Sequence, residues 1–591
     1  MPFRVRFRTR SIRPDSEITL RSAAQGWDHD VAALYEGDDW IVELDEASHR
    51  DGLEFKFVLD RRDWMLGPNL RVEPVADADY VFDEAAVQFG GLRAGLDIVV
   101  ENGTVAQRFF TPALADELFD VVVVGSGAGG GVLADQVSDL GLRVLVLEAG
   151  SYLFPTHVGN LPRQQAIGIF DKHVWRLWGQ FAVSNYANEP GSSFAGGQGF
   201  NLGGRSIYWG GLTPRMAEWE LDAWPPEIKS YLLSGGYARA EAIIGAGPVP
   251  ASPYQEQTKT LLRNVLPEFT HADASMAVRY QGVTATSLAA GLFSTADLLM
   301  ESRLTSGPVG GERLFVNLNH FAVRVETDGA EARVVARDLI ADAERTFRGR
   351  AVVLSGGTIE TARLALASGL DRLAGSAVGQ GLTDHPIYYT HFGIPASSPQ
   401  ARDAASSKTI SVRAPATAEH PYIMVLELGA DFNQGRYVDE EILAAHRATK
   451  GKFTLCEIVF LFHAPLMDGN GVRAGGSPFE KVNVRVSHSD AATPHLDEVR
   501  DTSRKVIDAL GGEPLVGDTT ELKLAALGGV AHEVGTMRIG AVVDADLKVN
   551  GSDNLYVCDN SVFPVSPAAN PTLTLVALAD RLAGHLKQKA S

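Results

Sequence analysis

Three glycines, Gly125, Gly127 and Gly130, sit in the run Gly125-Ser126-Gly127-Ala128-Gly129-Gly130, directly after the apolar stretch Val121-Val122-Val123-Val124. This spacing, between a strand and a helix, suits a diphosphate. The first glycine permits a tight turn, the second lets the backbone approach the phosphates, and the third lets helix and strand pack closely. The helix N-terminus adds unpaired N–H groups and the positive end of its dipole. An acid, Glu148, ends the next apolar stretch roughly 20 residues on, where it can accept hydrogen bonds from ribose hydroxyls. Gly125, Ser126, Gly127, Gly130 and Glu148 together predict a dinucleotide site. They do not decide between NAD and FAD.

Distant segments bear on that choice. Asn201-Leu202-Gly203-Gly204-Arg205-Ser206-Ile207-Tyr208-Trp209-Gly210-Gly211 is a second Gly-rich run. The C-terminal region holds Asn554-Leu555-Tyr556-Val557-Cys558-Asp559 and Asn570-Pro571-Thr572. A long flavin needs contacts from segments this far apart, which favours FAD. Other chemistry is poorly represented. No His/Cys/Asp group has metal-ligand spacing, and no Gly-x-Ser-x-Gly elbow occurs apart from the Gly125 turn itself.

The elements around the first turn read as strand, turn, helix (Val132 to Leu140) and strand (Val144 to Leu147), a unit of an α/β fold. A further buried strand, Ala351 to Leu354, leads through Ser355-Gly356-Gly357 into a helix ending at Leu366. Phe453 to Phe462 and Val482 to Val486 read as strands in a mixed region. The chain closes with a strand, Asn554 to Cys558, and a helix, Thr572 to Lys587. Before all this, Val5 to Phe7, Val31 to Leu34, Trp40 to Leu44 and Phe55 to Leu59 read as short strands of a small β-sandwich. Residues 101–117 read as a connector and 402–408 as a loop.

The chain has 591 residues, 45% hydrophobic and 21% charged, with a formal net charge of -20. That length implies several domains. The acidic balance disfavours nucleic acid. Two cysteines, Cys456 and Cys558, make no disulfide framework, and Cys558 reads as a buried inert thiol. No continuous apolar h-region follows the alternating start Met1 to Phe7, and no apolar run is long enough to span a bilayer. A cytoplasmic chain without membrane insertion is expected.

The motifs, taken in order from about residue 118 to 591, resemble the glucose–methanol–choline (GMC) oxidoreductases. The first Gly-rich turn and Val144-Leu145-Val146-Leu147-Glu148-Ala149-Gly150 match the family's FAD-binding start. Val378-Gly379-Gln380-Gly381-Leu382-Thr383-Asp384-His385-Pro386 resembles its internal motif, and His532-Glu533-Val534-Gly535-Thr536 with the C-terminal block resembles its catalytic end. Asn570 before Pro571, where other members carry a second histidine, is most similar to the pyranose oxidase and cholesterol oxidase branches. The Gly203, Gly204, Ser206 and Trp209 segment resembles the pyranose oxidase segment that bears a flavin-linked histidine. Tyr208 stands in that place here, so the resemblance implies FAD held without a covalent link.

The resemblance also implies roles. Asp559 would bind the ribityl chain, Pro571 and Thr572 would place backbone groups near the flavin pyrimidine, and Val323 would meet adenine through its backbone. His532 would take the proton of an alcohol whose hydride goes to the flavin, and Asn570 would hold the same hydroxyl. His385 belongs to a structural motif in this reading, and His463 to the core.

In the N-terminal stretch, Gly26-Trp27-Asp28, Trp40, Phe55-Lys56-Phe57-Val58, Trp64 and Gly67-Pro68-Asn69 resemble starch-binding modules, with Trp27 and Trp64 as the sugar-facing candidates. The opposing reading makes these aromatics core or interface residues.

The expected architecture is therefore an all-β sandwich (1–112), a Rossmann-like, doubly wound FAD domain in three parts (113–225, 311–374, 521–591) and an α+β substrate domain with an antiparallel sheet in two parts (226–310, 375–520). The expected function is FAD-dependent oxidation of a secondary alcohol on a sugar or glycoside, with O2 or a quinone-like acceptor. A homo-oligomer is compatible with it. The alternatives are oxidation of a sterol or another cyclic alcohol, and a carbohydrate-binding protein whose flavin domain is inactive.

Overall fold

The computed structural model describes residues 2–9, 12, 16–37, 39–59, 61, 63–89, 113, 115, 117–154, 156–160, 182–248, 251–278, 291–305, 313–401, 407–413, 417–428, 440–449, 452–475 and 477–590. The connector expected over 101–117 lies outside these residues except for 113, 115 and 117. So does most of the 402–408 loop, although its last two residues begin the strand Ser407–Arg413. The chain divides into two compact units, Met1–Thr104 and Val105–Ser591.

In the first unit, apolar and basic residues alternate along Pro2–Arg8, so Phe3, Val5 and Phe7 point inward while Arg4 faces outward. This strand pairs antiparallel with Asp39–Asp45 and parallel with Asp79–Phe82. A second sheet is built on Leu53–Leu59, which pairs with Ile18–Ser22 and Leu70–Val72. Leu20, Phe55 and Phe57 from this sheet meet Phe3, Val5 and Phe7 in one core, which makes two layers. The strand expected over Val31 to Leu34 is in fact two, Val31–Ala32 and Leu34–Glu36, pairing in different sheets.

In the second unit, the Val121–Val124 run lies in the strand Leu118–Val124 at the centre of a seven-stranded sheet. It pairs in parallel with Val144–Leu147 on one side and with the end of Ala343–Leu354 on the other. Leu314–Asn317 and Leu555–Val557 extend the parallel part. His320–Thr327 and Ala332–Asp338 continue it as antiparallel strands. Burial on both faces explains why the central strands are apolar without alternation. The helices Ala128–Asp139 and Thr572–Ala590 pack together in this core, and the first begins four residues earlier than the periodicity suggests, at the Gly-rich turn. Tyr237 of the helix Tyr237–Ile244 is buried in the same core and hydrogen-bonds Thr574 at 3.0 Å.

The other large sheet is antiparallel, in the order Phe269–Asp273, Ser407–Arg413, Tyr422–Leu428, Phe453–Phe462, Ile387–Pro395, Lys523–Leu524. One face packs under the helices Pro253–Val265 and Leu496–Ala509 through Met424, Leu426, Ile458 and Phe460. The residues between these, Val425, Glu427, Glu457 and Val459, line a cavity. The fold is thus a Rossmann-like α/β sheet joined to an antiparallel sheet, with a cavity lined by both. No helix among the described residues is long and apolar enough to cross a membrane.

Candidate active site

Gly125 has φ +102°, and a methyl group there would overlap the Ser355 carbonyl oxygen, so only glycine fits this turn. Gly127 differs. It caps the helix Ala128–Asp139 and nothing in the chain lies within 4 Å of a methyl group placed on it. Its bare backbone faces the cavity, as a diphosphate at a helix N-terminus requires. The Ser126 hydroxyl donates to Glu148 Oε2 at 2.6 Å and accepts from Gly203 N at 2.9 Å, which ties the two Gly-rich runs together. Glu148 also accepts from the Ser126 and Gly150 amides at 3.1 and 2.9 Å. A carboxylate has about four acceptor positions, and the Ala149 amide is a fourth donor here, so a ligand hydroxyl would come in exchange for one of these. Burial raises the Glu148 pKa above the ordinary value, and these hydrogen bonds oppose the rise.

Asp559 lines the same cavity, more than 400 residues downstream. Its oxygens accept from Ser561 N (2.9 Å), Ser561 Oγ, Gly357 N (2.9 Å) and Thr361 Oγ1 (2.5 Å). Contact with a ribityl hydroxyl would therefore come in exchange for one of these. Gly204, Ser206, Trp209 and Thr572 also line the cavity. Ser206 Oγ donates to Gly203 O at 2.6 Å, and Trp209 Nε1 donates to Phe293 O at 2.7 Å. Gly130, Gly203, Val323 and Pro571 are buried and do not line it; beside Val323, Ala322 does. Tyr208 is buried and is not part of the lining.

His532 and Asn570 meet at this cavity, with Asn570 Nδ2 3.3 Å from His532 Nε2. His385, read from sequence as a structural residue, touches His532 directly: its Nε2 is 2.9 Å from His532 Nδ1. Its Nδ1 is 2.6 Å from the Pro567 carbonyl oxygen. A carbonyl only accepts, so His385 Nδ1 carries a hydrogen. Burial pushes the His385 pKa down to about 4, so the ring is neutral at pH 7 and its Nε2 accepts. His532 Nδ1 therefore donates, and neutral His532 has its lone pair on Nε2, beside Asn570. These tautomers follow from the hydrogen-bond pattern.

Glu220, which gave no signal in the sequence, holds the same loop. Its Oε1 accepts from Ala568 N at 2.7 Å, and its Oε2 accepts from Ala217 N at 2.8 Å. Burial pushes its carboxyl up to about 7. Next to His532, Glu533 pairs with Arg205 of the second Gly-rich run at 2.5 Å. Asp384, beside His385, is pushed up to about 7 by burial and then by the charge of Glu533.

His463 is not part of the lining. It makes an edge contact with Trp219, centroids 5.0 Å apart, and burial holds it at about 4. Among the described residues, His420, His495 and Glu498 bring ligand atoms within 4.8 Å of one another, although residues so far apart gave no spacing signal. Arg413 and Tyr422 hold the other Glu498 oxygen, and the arginine charge opposes a cation there.

Comparison with known proteins bears on the C-terminal block first. Residues 481–579 match the family model described as GMC oxidoreductase. C-glycoside 3-oxidase of Microbacterium trichothecenolyticum is 27% identical over 410 residues, covering 65% of this chain and 75% of its own. 5-(Hydroxymethyl)furfural oxidase of a Methylovorus species is 26% identical over 553 residues, covering 81% and 100%. A variant of Aspergillus oryzae RIB40 formate oxidase has the same fold, with a TM-score of 0.55 at 16% identity over 81% of this chain and 99% of that one. The C-terminal segment is thus of the GMC type, and the relatives extend the likeness over most of the chain.

Proposed function

We infer that this chain is an FAD-dependent oxidoreductase of the GMC type that oxidises a secondary alcohol of a sugar or glycoside to a ketone. One observation carries the chemistry: His532, with its Nδ1 on His385, turns its Nε2 toward Asn570 in a cavity that also holds the Gly125–Gly127 turn. The residues fit FAD. The Gly127 backbone and the helix N-terminus would hold the diphosphate, Glu148 a ribose hydroxyl, and Thr572 at the last helix the flavin end. When bound, FAD supplies the hydride acceptor. With Tyr208 outside the lining, the cofactor is held without a covalent bond. Reoxidation is by O2 or a quinone-like acceptor.

The substrate hydroxyl would meet both His532 Nε2 and the Asn570 amide from the cavity side, in exchange for their mutual 3.3 Å contact. His532 Nε2 takes the hydroxyl proton and becomes an imidazolium, keeping Nδ1–H on His385 Nε2. The Pro567 carbonyl holds His385 in the tautomer that can accept. Glu220 and His385 fix the Pro567–Asn570 loop from two sides, so Asn570 and His532 keep their spacing as the proton moves.

The sugar assignment draws support from C-glycoside 3-oxidase among the relatives. The test is anaerobic addition of a panel of sugars, glycosides, sterols and simple cyclic alcohols, followed at the flavin absorbance band. Bleaching by sugars or glycosides supports the assignment. Bleaching by sterols alone moves it to the sterol alternative, and no bleaching by any alcohol would support an inactive flavin domain.

A second reading concerns the first unit. Trp27 and Trp64 have ring centroids 6.3 Å apart, and Trp64 is 37% exposed with Arg21 over its ring. Such a pair suits the apolar face of a glucose ring, so this unit is proposed to bind α-glucans. Titration with maltooligosaccharides should change tryptophan fluorescence in the wild type and not in Trp64→Ala.

A further inference from the structure

The cavity face of the antiparallel sheet forms a three-by-three block. The register places Ile387, Leu461 and Ile423 in one row and Tyr389, Val459 and Val425 in the next. The third row is His391, Glu457 and Glu427. Two rows are largely apolar and the third holds an imidazole and two carboxyl groups. Glu427 is 4% exposed and Glu457 1%. Both line the cavity that holds His532 and Asn570. His391 Nε2 lies 3.3 Å from Glu457 Oε1. Among the described residues, neither Glu457 oxygen receives a hydrogen bond.

Cross-strand carboxylates repel each other, and a buried carboxylate without donors is costly. An all-apolar wall would be more stable, because Met424, Leu426, Ile458 and Phe460 show that these strands pack well as apolar elements. A pair of acids on a substrate-side wall, with acceptor positions open on Glu457, is built for donors that arrive with a ligand.

We propose that Glu457, with Glu427 beside it, is a hydroxyl-binding subsite that selects polyhydroxylated rings. It accepts hydrogen bonds from ring hydroxyls other than the one oxidised, while Val425, Val459 and Leu461 meet the ring's apolar face. This rests on the alcohol-oxidising reading above and adds which part of the wall selects the substrate.

The test uses the FAD-loaded enzyme and three competitors of flavin reduction: myo-inositol, cyclohexanol and cyclohexylamine. The wild type should prefer myo-inositol to cyclohexanol. Glu457→Gln should cut that preference about 10-fold or more, as expected for loss of a hydrogen bond to a charged acceptor. The Glu427→Gln variant should act in the same direction. Carbocyclic competitors keep the outcome separate from the sugar assignment, since a polyol preference lost in Glu457→Gln stands even if no sugar reduces the flavin. The proposal is overturned if the wild type shows no polyol preference, if Glu457→Gln keeps it at unchanged FAD content, or if cyclohexylamine is the ligand whose binding the variant loses.

Discussion

Replacing His385 with Asn tests the histidine relay. The Asn amide can still donate to the Pro567 carbonyl from the place of Nδ1, but it has no atom at Nε2 to accept from His532 Nδ1, now 2.9 Å away. A hydrogen bond to a charged partner contributes about 1.5–3 kcal/mol. The partner is charged only when His532 is an imidazolium, so its loss disfavours that form. At about 1.4 kcal/mol per pH unit, the His532 pKa should fall by about 1–2 units. A weaker base also removes the proton more slowly, on the order of 10-fold. Anaerobic stopped-flow reduction, recorded from pH 4 to 9 with a reducing alcohol, reads both. The acid limb should move to lower pH by about 1–2 units while the plateau falls, at unchanged FAD content. An acid limb left in place, or moved to higher pH, would refute the relay, because a merely structural histidine has no reason to shift it downward.

Gly125→Ala should abolish FAD retention, because the turn has φ +102° and the Ser355 carbonyl occupies the space; the flavin-to-protein ratio after gel filtration checks it. Glu220 sets a pH dependence of stability. Its carboxyl stands at about 7 in the folded chain against an ordinary value of 4.5, with burial as the main cause. Between those values the native state keeps a proton that the unfolded chain has released. Its contribution is therefore full below about pH 4.5, falls as pH rises to about 7, and is flat above. Glu220→Gln removes that slope, so between pH 5 and 8 the wild type should lose on the order of 2–3 kcal/mol relative to the variant. Parallel melting curves across that range would contradict it.

The strand run Val121–Val124, the turn after it and Glu148 were legible because they are local: a buried parallel strand is apolar throughout, and the turn's glycines are adjacent in sequence. His532 and Asn570 were legible only through resemblance. The sequence could not say that they meet, since 38 residues separate them. The contact of His385 with His532 was not legible, because the two lie 147 residues apart. Glu220 binds the Ala568 amide across 348 residues, and nothing in its surroundings marks it. Glu427 and Glu457 did leave a signal, an acid at an inward position of an otherwise apolar strand, in Val425-Leu426-Glu427-Leu428 and Cys456-Glu457-Ile458. That pattern means a buried charge, and it calls for a reason. The pairing of the two acids depends on strand register, which the turns between these strands do not encode in any readable way.

The most direct measurement compares wild type and His532→Ala by anaerobic stopped flow at pH 8, with a glycoside that bleaches the wild-type flavin. Both proteins should carry FAD at the same ratio, and the variant's reduction should be slower by about 10²–10⁴-fold, the usual range for a general base. A variant that reduces its flavin at the wild-type rate would contradict the account.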